Sequence, residues 1–122
     1  MGKHVLLVED EANIIEAIRF LLTRDGWHVE AHADGGTAVQ RIREREPDLI
    51  ILDLMLPGKN GLDILRELRA EDRFADLPVL MLTARGHEQD RDLAAQAGAS
   101  RFMTKPFSNS DVLDAVRELA DG

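Results

Sequence analysis

A chain of 122 residues is the length of one domain, for which a single hydrophobic core suffices. It has no cysteine, which excludes disulfides and thiolate metal sites, and its 44% hydrophobic and 31% charged residues make it globular rather than disordered. A formal net charge of -8 argues against direct nucleic-acid binding, which rests on clustered Lys and Arg.

Strand-like and helix-like patterns alternate from end to end. Val5–Val8 is a continuous apolar run of strand length, followed at once by the acids Glu9, Asp10 and Glu11. Ile14, Ile18, Leu21 and Leu22 then fall at helical spacing, and "RDG" at Arg24–Gly26 supplies a stop. His28–Ala33 alternates only loosely and predicts a weaker strand. Gly35 and Gly36 mark a turn, and Ala38, Val39 and Ile42 predict a short helix that ends before Pro47.

"LIIL", Leu49–Leu52, is the most apolar strand, and "LPGKNG" behind it is loop chemistry. Leu62, Leu65 and Leu68 carry the next helix. Pro78 precedes a further buried run, Val79–Leu82. His87–Ala97 reads as a polar, alanine-rich helix stopped by Gly98, and Arg101–Met103 as a short strand. The last helix takes Ser108 or Ser110 as its cap and buries Val112, Val116 and Leu119.

The result is five βα units with no segment left over. Buried parallel strands read as solid apolar runs, and right-handed crossovers put helices on both faces of the sheet. The fold class is therefore α/β: a five-unit (βα)5 doubly wound, flavodoxin-like parallel sheet of strand order 2-1-3-4-5. Residues 1–122 read as a single domain without repeat, linker or effector domain. No apolar run approaches the ~20 residues that span a bilayer, and the N-terminus lacks the form of a signal peptide. A cytoplasmic protein without membrane contact is the expectation.

Ligands of such folds bind outside the carboxyl ends of the strands. That rule gathers Glu9 and Asp10 behind strand 1, Asp53 behind strand 3, Thr83 behind strand 4 and Lys105 behind strand 5 into one crevice. Converging carboxylates suit a hard divalent cation such as Mg²⁺, which accepts one or two of them and keeps several waters. A metal and an ammonium flanking a carboxylate make a landing site for a phosphoryl group, with the central Asp53 as nucleophile.

The pieces "LLVEDE", "DLIILDLMLPGKNGLDIL", "PVLMLTA" and "AGASRFMTKPF", with the closing amphipathic helix, resemble the receiver domain of two-component response regulators over essentially the full chain. The resemblance implies that Asp53 is the phosphoacceptor, charged from a sensor histidine kinase or a histidine phosphotransfer protein. It implies Mg²⁺, with Mn²⁺ as a substitute, held by Asp10, Asp53 and the Met55 carbonyl directly and by Glu9 through water. Thr83 and Lys105 would meet the phosphoryl oxygens, and Phe102 would be the aromatic switch relaying the change to the helix 4–strand 5–helix 5 surface. The Lys105–Pro106 bond is expected cis. Met55 and Arg85 would tune phosphate lifetime, and a phosphorylation-linked homodimer is a candidate assembly. Such a domain is a phosphorylated signalling module and not an enzyme, beyond self-catalysed phosphorylation and dephosphorylation.

Some positions depart from the common family pattern. Glu9 stands where many members have Asp, and Phe102 where Tyr is common. Ser100 and Arg101 replace the paired acids typical of the DNA-binding branch. The chain is either a stand-alone receiver or one cut from a larger protein.

A flavin or nucleotide binder would need a Gly, Ser or Thr-rich loop after strand 1, where this chain has "EDEAN". An Asp-based phosphatase would need a second Asp at Met55. A non-phosphorylated interaction module would have lost part of the acid set. Several residues carry blander expectations: Glu11 as a first-turn charge favoured by the helix dipole, Met55, Met81 and Met103 as core filler, Trp27 as packing, and the four histidines as surface residues.

Overall fold

The computed structural model describes residues 3–84 and 88–121. Five strands are present among them: β1 (His4–Val8), β2 (His28–His32), β3 (Leu49–Asp53), β4 (Val79–Thr83) and β5 (Arg101–Thr104). They alternate with α1 (Ala12–Arg24), α2 (Ala38–Arg45), α3 (Gly61–Arg69), α4 (Glu88–Ala97) and α5 (Asn109–Asp121). Every pairing is parallel and the order is β2-β1-β3-β4-β5, as the sequence leads one to expect. No helix among the described residues is long and apolar enough to cross a membrane.

The solid apolar strands follow from burial on both sides. Alternate residues Leu6, Val8, Ile50, Leu52, Val79 and Met81 pack with Val39, Ile42, Leu65, Leu68 and Ala94 of α2, α3 and α4. Their neighbours Val5, Leu7, Leu49, Ile51, Leu80 and Leu82 pack on the other face with Ile18, Leu22, Val112 and Val116 of α1 and α5. Trp27 joins this second layer. Truncating any of these buried leucines to Ala costs about 2–5 kcal/mol.

Helix ends follow local chemistry. Asn60 caps α3 by accepting the Asp63 N–H at 2.9 Å. Of the two candidate caps of α5, Ser108 serves, its Oγ accepting the Asp111 N–H at 3.1 Å. α2 stops at Glu46, which takes a left-handed φ of 45° ahead of Pro47.

Four expectations need correction. β2 ends at His32 rather than Ala33 and is half-buried, which accounts for its loose alternation. Asp53 and Thr83 are the last residues of their strands rather than the first beyond them. Leu119 is half-buried, with Ala115 fully buried in its stead. Met55 is 52% exposed and fills no core, because the chain has turned outward behind β3. The expected start of the fourth helix at His87 lies outside the described residues.

The loop after β2 abuts the loop after β3. The Gly35 N–H donates to the Pro57 carbonyl at 2.9 Å, and a Cβ at residue 35 would stand 2.1 Å from the Lys59 carbonyl oxygen. Asp34 stiffens this turn by accepting the Gly36 N–H at 2.9 Å.

Candidate functional site

The parallel register sets the strand ends level. Val8 faces Leu52, Asp53 faces Leu82 and Thr83 faces Thr104. The polar residues at or just beyond these ends therefore meet over one edge of the sheet. Glu9, Asp53 and Thr83 are buried there, while Asp10 is exposed.

Glu9, Asp10 and Asp53 each bring a carboxylate oxygen to within 4.8 Å of the others. Asp53 Oδ1 accepts the Met55 N–H at 3.0 Å, and its Oδ2 accepts from Lys105 Nζ at 3.1 Å. Glu9 turns Oε2 back onto the N–H groups of Asp10 and Glu11, both at 3.0 Å. Its Oε1 lies 2.9 Å from Lys105 Nζ as an ion pair, but off hydrogen-bonding angle and with no hydrogen-bond partner. Lys105 is fixed by its own N–H, which donates to the Thr83 carbonyl at 2.7 Å, and the Lys105–Pro106 bond is cis.

The electrostatics follow from this crowding. Burial pushes Glu9 from the usual 4.5 up to about 7; Lys105 and the Glu11 N–H oppose that rise, and Asp53 adds to it. Burial pulls the Lys105 ammonium down, but its close contacts with the carboxylates of Glu11, Glu9 and Asp53 outweigh it and hold the group above its ordinary range. One ammonium thus faces an excess of carboxylate. A buried oxygen without a hydrogen bond, beside two further acids, is a donor set that fits a hard divalent cation.

Glu11 is more than a first-turn charge. It occupies the position before α1 without capping it, and its Oε1 accepts from Lys105 Nζ at 2.9 Å. Phe102 is half-buried on β5, with the Arg91 guanidinium of α4 over its ring, 5.3 Å from the centroid. Ser100 and Arg101 have structural employment: Ser100 Oγ accepts the Val79 N–H at 3.0 Å, and Arg101 pairs with Glu118 of α5. Arg85 lies outside the described residues. His4 and His28 stack with ring centroids 5.0 Å apart, His32 bonds to Thr37, and no metal-binding cluster among the described residues includes a histidine.

Comparison with known proteins agrees with this geometry. The family model of the response regulator receiver domain matches residues 5–117. The phosphate regulon transcriptional regulatory protein PhoB of Escherichia coli strain K12 is 41% identical over 117 residues, covering 96% of this chain and 51% of PhoB. PhoB of Klebsiella pneumoniae is 42% identical over the same shares. The chain thus spans about half the length of the curated relatives it matches.

Two solved structures are similar throughout. The receiver domain of the sensor histidine kinase PA1611 from Pseudomonas aeruginosa PAO1, solved with magnesium coordinated in its active site cleft, is 30% identical with a TM-score of 0.91 and full coverage of both chains, 100% each. The BeF3-activated N-terminal receiver domain of Klebsiella pneumoniae RstA is 28% identical, with a TM-score of 0.90 and coverage of 98% and 99%. Fold, strand-end acids and family match converge: the chain belongs to the receiver domains of two-component response regulators, modules of phosphorylation-based signalling.

Proposed function

We propose that the domain is a Mg²⁺-dependent phosphorylation switch in which Asp53 accepts a phosphoryl group from the phosphohistidine of a sensor histidine kinase or a histidine phosphotransfer protein. The observation that carries this reading is the setting of Asp53. It is buried at the end of the central strand, with one oxygen fixed by the Met55 N–H and the other 3.1 Å from Lys105 Nζ.

In the transfer, an Asp53 oxygen attacks phosphorus, the phosphorus–nitrogen bond breaks, and the departing imidazole keeps the electron pair. The product is an acyl phosphate. Asp10, Asp53 and the Met55 carbonyl would hold Mg²⁺ directly and Glu9 through water; the bound ion neutralises charge on the phosphoryl oxygens. The chain's own share is to hold the nucleophile still, to oppose anionic charge with Lys105, and to keep this end of the sheet largely out of water.

The switch then passes through side chains beside the site. Thr83 ends the strand next to Asp53, and Phe102 lies on the strand beyond, so two discrete packings of this pair would alter the α4–β5–α5 surface. Met55 and Arg85 are assigned to tuning phosphate lifetime. Met55 supplies no acid two residues after Asp53, which favours a signalling module over a phosphatase of external substrates. A cytoplasmic location and the lack of direct nucleic-acid contact by this domain belong to the same reading.

The test is incubation with Mg²⁺ and acetyl phosphate, followed by intact mass. A single added phosphate, labile to acid and base and absent from Asp53→Asn, is expected. Label that survives Asp53→Asn refutes the assignment. Replacing Mg²⁺ by Mn²⁺ should sustain uptake. Size-exclusion with beryllofluoride and Mg²⁺ tests the phosphorylation-linked homodimer.

A further inference from the structure

Lys105 has three N–H donors and meets three carboxylates: Glu9 Oε1 at 2.9 Å, Glu11 Oε1 at 2.9 Å and Asp53 Oδ2 at 3.1 Å. It donates to Glu11 and Asp53 and meets Glu9 as an ion pair, and with its side chain 8% exposed it has no open side for an incoming anion. It must drop one carboxylate first, and the three are not equally easy to drop. The side chains of Glu9 and Asp53 are 0% and 3% exposed, so either would be stranded away from water. The Glu11 side chain is 57% exposed, and water replaces its partner at little cost.

Glu11 is also built to reach across. Its N–H donates to Glu9 Oε2 at 3.0 Å, so its backbone is pinned to the site while its carboxylate swings over Lys105. It stands outside the set of three acids suited to the cation. Its place is between that set and solvent.

We infer that Glu11 is a positioning residue, a detachable tether that parks the Lys105 ammonium among the acids until a phosphoryl oxygen takes the place of the Glu11 carboxylate. The gating half of this inference rests on the reading of Asp53 as phosphoacceptor; the parking does not. The exchange swaps one anionic oxygen for another on the same ammonium and makes or breaks no covalent bond. Because the tether must open before an anion is engaged, it taxes the apparent affinity for the phosphodonor.

Two variants of the full chain separate the tether from a mere charge. Glu11→Gln removes the charge, whereas Glu11→Asp keeps it on an arm one methylene too short to reach. Hydrogen exchange of the Lys105 ammonium is read by NMR in Mg²⁺-free buffer without phosphodonor. Both variants are expected to accelerate it about tenfold, in line with losing one charge-assisted hydrogen bond. With acetyl phosphate and Mg²⁺, both should lower KM about threefold, the change lying in KM rather than in the maximal rate.

Unchanged ammonium exchange in both variants, or an Asp variant that matches wild type, overturns the tether even where Asp53 is phosphorylated normally. Accelerated exchange with unchanged KM overturns the gating role. Should neither wild type nor variants take up phosphate while exchange still accelerates, the reading of Asp53 falls, the gating falls with it, and the parked ammonium stands.

Discussion

The Arg69 guanidinium clasps the carbonyl oxygen of Gly98 with two hydrogen bonds, 3.0 Å from Nε and 2.8 Å from Nη2. A third, at 2.7 Å from Nη1, goes to the Phe74 carbonyl. The last residue of α3 is thereby pinned to the residue that stops α4. Gly98 takes a φ of +103°, and a Cβ there would lie 2.9 Å from Arg69 Cγ. Arg69→Ala should cost about 2 kcal/mol in urea unfolding, because two partly buried carbonyls lose a charged donor. Arg69→Lys should not restore it, since an ammonium cannot reproduce the fork. A loss below about 0.5 kcal/mol would show the clasp to be idle.

Gly61 sits under the nucleophile's own backbone. A Cβ there would stand 2.4 Å from the Asp53 carbonyl oxygen and 2.9 Å from Leu54 Cα, while its N–H donates to the Leu54 carbonyl at 2.9 Å. Gly61→Ala must push the end of β3, with an expected loss of roughly 1–3 kcal/mol. Acetyl phosphate uptake should slow several-fold beyond what the unfolded fraction accounts for. Normal uptake by the folded fraction would mean that Asp53 tolerates the shift.

Glu9 gives the apo domain a pH dependence of definite sign. Its folded pKa, at about 7, lies above the usual 4.5, so between those values the native state holds the proton more tightly than the unfolded chain. The stabilisation is full below pH 4.5 and lost as pH rises through 7. Thermal melts in Mg²⁺-free buffer should show Tm falling over this window, with a flatter slope in Glu9→Gln. Parallel slopes in the two proteins would assign the titration elsewhere.

Lys105 competes with any cation for the same acids. Lys105→Met should weaken the Mg²⁺-free domain by about 3 kcal/mol, since it leaves Glu9 and Asp53 without their counter-charge. The same change should tighten Mg²⁺ binding about tenfold in calorimetric titration, as the nearest positive charge is gone. An affinity equal to wild type would place the cation outside the reach of Lys105.

Much of this was legible in the chain because the strongest signals are periodic. Val5–Val8, Leu49–Leu52 and Val79–Leu82 are apolar without interruption, a pattern tolerated only where both faces are covered. Strand order and the convergence of Glu9, Asp10, Asp53, Thr83 and Lys105 then follow from topology. Residues whose role depends on a distant partner were not legible. Glu11 satisfies a local helix-start rule, yet its partner Lys105 is 94 positions away, and no local pattern records that pairing. Met55 departs from the core-filler expectation for a related reason: composition does not reveal that the chain turns outward at once behind Asp53. The one-turn helix Asp72–Phe74 is too short to show a period, although it buries Phe74.

The abutment of Gly35 on the loop after β3 bears on how mutational data for this domain should be interpreted. Position 35 has no side chain and lies on the loop after β2, yet any substituent there would press on the Lys59 backbone of the loop that carries Met55. A saturation scan should find it as intolerant as the acids themselves. Intolerance at that position would measure available space, and counting it among chemical residues would enlarge the active centre by a residue that does no chemistry.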